Sequence, residues 1–244
     1  MINLNEKCWI CGSNALTGEH KTKNSDLKLV FGSFSQSNPI YYHDARGVNQ
    51  IARGPRSSIL KFSYPICEHC NNERTQPHDR AWEDLSSWFR KHISAIKPGG
   101  TVSANSFFPH DTEPQMLNVH LYFVKLFGCS LKEADGKIPI PLGPLADAIK
   151  ENQAHPNIYL RFAHGPAAVG ASDIHFEQVQ GGMAQIAGWS YVIDGVQVKV
   201  FFAKSIASVS EWVKVSQVWH PKLGTNMLSI ADFRRETEAM SPGE

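Results

Sequence analysis

The spacing of apolar residues divides the chain into two unlike halves. In the first, a short run at 16–21 and an alternating run at 58–66, with Leu60, Phe62, Tyr64 and Ile66 on every second position, predict two strands. Residues 79–93 then change period. Trp82, Leu85, Trp88, Phe89 and Ile93 fall on one face of a helix that must stop at Lys97-Pro98-Gly99-Gly100. Between the strands, residues 22–56 hold no sustained period and are expected to form a long loop, of the kind that often carries function. Residues 99–114, interrupted by Gly99, Gly100, Pro109 and Pro114, read as a linker.

The second half is more regular. Residues 115–128 predict an apolar helix through Leu117, Leu121, Val124 and Phe127, and 142–152 a shorter amphipathic one with Leu145, Ala148 and Ile149 inward. Strands follow at 157–163, 173–179, 183–193 and 196–203, the last two joined by the hairpin signal Asp194-Gly195. The expected fold class is α+β. A strand, strand, helix domain over 1–98 with a long insertion at 21–57 precedes a second α+β domain with an antiparallel sheet over 115–244. Nothing in 115–244 has catalytic spacing, so its expected role is specificity, oligomerisation or partner binding.

Composition alters this picture little: 42% hydrophobic and 19% charged residues are ordinary for a folded chain. Residues 1–7 are too polar for a secretory signal, and no apolar run approaches the ~20 residues of a membrane helix. The expectation is a cytoplasmic protein with no membrane partner. Charge is more telling once divided. Residues 1–100 carry 13 Lys/Arg against 9 Asp/Glu, and residues 101–244 carry 11 against 14. The excess concentrates at 21–66, where Lys21, Lys23, Lys28, Arg46, Arg53, Arg56 and Lys61 face only Asp26 and Asp44, interleaved with Tyr41, Tyr42 and His43. That combination suits a surface tracking phosphates, and equally a solvated loop.

Five cysteines, four of them in the pairs Cys8/Cys11 and Cys67/Cys70, fit metal ligation in a reducing compartment better than a disulfide framework. Four thiolates grouped two and two close a tetrahedral zinc site, which would draw together segments that 55 residues separate. Such a closed site holds a fold and does not react. Cys129, in an apolar stretch, reads as a small buried hydrophobe. Glu19-His20 follows the first pair and Asn71 directly follows the second, so the zinc would bring them to one place. A carboxylate and a carboxamide offer oxygen to a hard divalent cation, and a neutral imidazole can take a proton from water.

Cys8-Trp9-Ile10-Cys11, Thr17-Gly18-Glu19-His20 and Cys67-Glu68-His69-Cys70-Asn71 together resemble an HNH endonuclease of the zinc-knuckle type. The resemblance covers roughly the first 95 residues. It implies a ββα-metal fold in which Glu19 is the acidic ligand of a catalytic Mg²⁺ or Mn²⁺, His20 the general base and Asn71 a ligand from the helix, with 5′-phosphate and 3′-hydroxyl products. His78 or Asp79 could join that metal, or Asp79 could cap the helix at 79–93. The family's Asn shortly before the second Cys pair has no counterpart in 60–66, which leaves Ser63, or Asn49 and His43 from the long connection, to brace His20. Nucleic acid, with double-stranded DNA as the expected form, is then the partner. Lys21, Lys23, Arg53, Arg56, Arg74 and Arg80 are the candidate contacts, and a homodimer would let one such unit cut each strand. The alternative is a catalytically inactive, zinc-stabilised module that binds nucleic acid or protein.

Overall fold

A computed structural model describes residues 6–44, 47–210 and 213–232. Arg46 and the end of the 115–244 region lie outside the described residues. The fold is α+β. A seven-stranded sheet runs in the order β3 (Thr101–Ser103), β9 (Met227–Asp232), β4 (Ile158–His164), β8 (Val196–Ala203), β7 (Met183–Ile193) and β5 (Val169–Ala171). Strand β6 (His175–Gln180) shares the outer edge of β7 with β5. Among the described residues only β4 and β9 pair in parallel. The β7–β8 turn is a hairpin because Asp194 and Gly195 both take positive φ, 43° and 84°, which matches the strand twist.

Two helices cover one face of the sheet, α2 (Gln76–His92) and α3 (Thr112–Glu133). Trp82 of α2 stacks on Tyr122 of α3 at 5.6 Å and meets Phe123 and Tyr191 edge-on, while Phe89 stacks on Phe162 of β4. Helix α3 is buried nearly all round its middle, from Val119 to Cys129, and therefore reads as hydrophobic without a polar stripe. Helix α4 (Leu142–Glu151) ends at Asn152, which takes the left-handed conformation expected of a helix stop. The opposite face of the sheet carries a small cluster of Tyr159, Ile186, Phe201 and Val218, with Val209 of the short α5 (Ile206–Val209).

The two halves share one core. Cys8, Phe62, Trp82, Val124, Phe162, Tyr191 and Ile230 belong to a single buried cluster. Residues 99–114, expected as a linker, contribute β3 to the edge of the sheet beside β9. Neither strand carried a readable period, because β3 is three residues long and β9 follows an irregular stretch. The insertion at 21–57 also has structure: α1 (Asn24–Phe31) and a hairpin of β1 (Ile40–Asp44) and β2 (Gly47–Ala52) with a register irregularity between Tyr42 and Asp44. Ile40, Tyr42 and Ala52 of that hairpin pack on Leu27, Phe34 and Leu60, while Tyr41 and Ile51 on its other face are exposed, so large apolar residues stand on both faces and no alternation shows.

Candidate metal centre and adjoining cleft

The two strands expected at 16–21 and 58–66 form only in part: 58–60 is a 3-10 turn, and the rest meet as a frayed ribbon of isolated bridges. Thr17 exchanges both backbone hydrogen bonds with Ile66, Phe62 N–H donates to the Glu19 carbonyl, and Lys21 N–H to the Leu60 carbonyl. A π-helical turn (His69–Arg74) leads directly into α2. Ribbon, turn and helix therefore meet at the cysteines.

The Sγ atoms of Cys8, Cys11, Cys67 and Cys70 all lie within 4.8 Å of one another, and among the described residues no other group of three or more His, Cys, Asp or Glu does so. With Zn–S bonds of about 2.3 Å, a tetrahedral ion separates its sulfurs by roughly 3.8 Å. Cys11 and Cys67 sulfurs stand 3.4 Å apart, so small relaxations suffice. Backbone geometry is already that of a knuckle: Gly12 N–H donates to the Cys8 carbonyl, Cys8 N–H to the Ser13 carbonyl, and Cys70 N–H to the Cys67 sulfur. Burial pushes the Cys67 and Cys70 thiols up, a cost that binding a cation removes. The donor set fits zinc. Cys129 is 1% exposed and its thiol is pushed up by burial, as an inert interior residue requires.

Beside this centre opens a cleft of about 1070 Å³ lined by Thr17, Glu19, His20, Lys23, Arg56, Asn71, Asp79 and Glu83 among others. Glu19, His20 and Asn71, expected to meet, do line one space. Asn71 is steered by its Nδ2, which donates to Thr17 Oγ1 at 3.2 Å. Its Oδ1 has no partner among the described residues and remains a possible oxygen donor. Glu19 sits on the ribbon with its Oε1 3.2 Å from Lys125 Nζ. A hard-oxygen pair of this kind suits Mg²⁺ or Mn²⁺ better than zinc.

His20 is held from an unforeseen direction. Its Nε2 lies 2.9 Å from the Pro55 carbonyl, in the segment that closes the insertion. A carbonyl only accepts, so Nε2 carries the proton and Nδ1 keeps the lone pair. None of the expected braces reaches it: Ser63 bonds Glu133 through both its N–H and its Oγ, and His43 Nδ1 accepts from Asn49 N–H on the hairpin. A backbone carbonyl leaves no signature in a sequence. Gly54-Pro55 as a turn was the only available hint.

Helix α2 presents Asp79, and not His78, to the cleft. His78 is 2% exposed, and burial, followed by the nearby Lys125 charge, pushes its pKa down to about 4. The expected helix cap also moves, since α2 begins at Gln76 after Thr75, and Asp79 lies one turn inside. Asp79 is instead tied to lysines: Lys125 Nζ at 2.9 Å and Lys23 Nζ at 3.5 Å, with Glu83 also 3.5 Å from Lys23. Lys125 was not anticipated, although a single Lys inside the apolar stretch of α3 signals a buried charge that needs partners. Its side chain is fully buried, and the Glu19 and Asp79 carboxylates outweigh that burial and hold its pKa above the usual lysine range.

The basic candidates divide. Lys23 and Arg56 line the cleft, joined there by Lys28 and Lys61, and Arg56 and Lys28 are exposed. Arg53 and Arg80 are exposed outside that lining. Lys21 turns to Glu133 of α3 at 2.9 Å, and Arg74 reaches the Lys150 carbonyl of α4.

No protein-family model, curated protein or solved structure matches the chain. Among the described residues no helix is long and apolar enough to cross a membrane.

Proposed function

We propose that the protein is a metal-dependent endonuclease of the HNH type, acting on nucleic acid and most naturally on double-stranded DNA. The observation that carries this is the convergence of Glu19, His20 and Asn71 on one cleft beside a four-cysteine centre, with His20 fixed by the Pro55 carbonyl. Glu19 and Asn71 would hold Mg²⁺ or Mn²⁺, which when bound supplies charge stabilisation to a phosphate oxygen and the leaving 3′ oxygen. His20 takes the proton from an attacking water through Nδ1, while the Pro55 carbonyl stabilises the imidazolium that results. Lys28, Arg56 and Lys61 meet the phosphate backbone and position it without reading bases. Zinc at the four cysteines holds ribbon and helix together and takes no part in the reaction.

A second reading has its own observation. Lys125 already supplies a cation to Glu19, as a binding module without catalysis could use it. An end-labelled duplex separates the two. Incubation with Mn²⁺ is expected to give products with 5′-phosphate and 3′-hydroxyl ends, abolished by a chelator. Retarded but uncut duplex would favour the binding module.

A further inference from the structure

Among the described residues, Lys125 is the cation of the second half of the chain that pairs with carboxylates lining the cleft. Its Nζ lies 3.2 Å from Glu19 Oε1, 2.9 Å from Asp79 Oδ1 and 3.4 Å from Thr75 Oγ1, and its side chain has no exposed surface. The ammonium is thus wedged between the ribbon and α2, with α3 as its base. Tyr122 closes one side, its ring centroid 5.6 Å from Nζ. A buried charge would be costly without these partners, and two carboxylates so close would repel without the ammonium.

Resting on the metal-dependent reading of the cleft, we infer that Lys125 is a positioning residue that sets how tightly the cleft holds its divalent ion. It approaches Glu19 at Oε1, and Oε2 has no hydrogen-bond partner among the described residues. The carboxylate is therefore oriented and half neutralised before any metal arrives. The neighbouring positive charge opposes a divalent cation and keeps its binding weak enough to depend on substrate phosphate for completion. By joining Glu19 to Asp79, Lys125 also stops the two carboxylates from closing on an ion as a bidentate trap.

The test is the Mn²⁺-induced rise in Tm of the full chain, read across a Mn²⁺ titration for wild type, Lys125→Met and Lys125→Arg. Stabilisation by a ligand follows its affinity, so this readout serves even a weakened variant. Lys125→Met is expected to bind Mn²⁺ about tenfold more tightly or better, because a unit charge beside the carboxylates is gone. Lys125→Arg, which keeps the charge, is expected to stay within a few fold of wild type. A Lys125→Met chain that folds only when Mn²⁺ is added counts as the same result. Equal Mn²⁺ affinity in wild type and Lys125→Met would overturn the role of Lys125 and leave the nuclease reading standing. No Mn²⁺ effect on any of the three would overturn both. Binding by Lys125→Met alone, with no substrate phosphate present, would uphold the control by Lys125.

Discussion

At the scale of single residues, the cleft depends on two groups whose partners the sequence does not name. The Pro55 carbonyl orients His20, and Lys125 pairs with Glu19 and Asp79 from a helix 46 positions beyond the latter. Glu19, His20 and Asn71 were legible because their chemistry lies in their side chains and the cysteines fix their neighbourhood. His78 was misdirected by adjacency: on a helix the next residue points about 100° away, so Asp79 in the cleft leaves His78 in the interior. A further single-residue consequence lies at Gly128 of α3, where a Cβ would stand 2.3 Å from the Trp9 ring of the first knuckle. Gly128→Ala gains up to ~1 kcal/mol of helix propensity but must displace an indole inserted between knuckle and helix. Overpacking of this kind typically costs 1–3 kcal/mol, roughly, so the net effect is destabilising and should appear as a Tm lowered by several degrees.

At the scale of elements, the four cysteines replace what the ribbon lacks. Between 17–20 and 61–66 only two isolated bridges form, too few to hold two segments together in water. Metal ligation at the one end where Thr17 meets Ile66, with Cys8 and Cys11 leading into one strand and Cys67 and Cys70 leaving the other, would supply the missing constraint. Wild type is expected to carry one zinc ion per chain, and Cys67→Ser to lose it and with it the approach of Asn71 to Thr17. Elemental analysis after dialysis measures the first, and proteolysis within the insertion the second. Full occupancy in Cys67→Ser would contradict a four-thiolate site. Helices α2, α3 and α4 and the long strands β4, β7 and β8 were readable because each buries a continuous face, whereas the short α1 and α5 were not. Strands β3, β5 and β9 were not, since β3 and β5 are three-residue strands shaped by their neighbours and β9, between β3 and β4, follows an irregular stretch.

At the scale of the whole molecule, the N-terminal half and the sheet are welded through aromatic and charged contacts. Trp82 Nε1 and the Tyr191 hydroxyl both donate to Asp26 Oδ2, at 3.0 and 2.9 Å, tying the insertion to α2 and β7. Several titratable groups are buried along with this core. Burial pushes His78 and His155 down to about 4, and it lowers His120 and His220 as well. In the unfolded chain a histidine takes its proton near pH ~6.5, so between there and about 4 the unfolded state binds more protons. Stability is therefore greatest above ~6.5 and falls as pH drops toward 4. Asp26, raised first of all by burial, acts in the opposite sense but as a single carboxyl against four imidazoles. Thermal unfolding followed from pH 7.5 to 4.5 should show Tm decreasing steadily through the histidine range. A flat profile would mean that those imidazoles are not held neutral.

The account stands or falls on His20. The most direct measurement is the rate at which supercoiled plasmid is converted to nicked and linear forms in Mn²⁺ by wild type and by His20→Ala. If His20 is the general base, its loss should slow conversion by about 10²- to 10⁴-fold, with zinc content and Tm close to wild type. Conversion at the wild-type rate by His20→Ala, or none by the wild type itself, would contradict it.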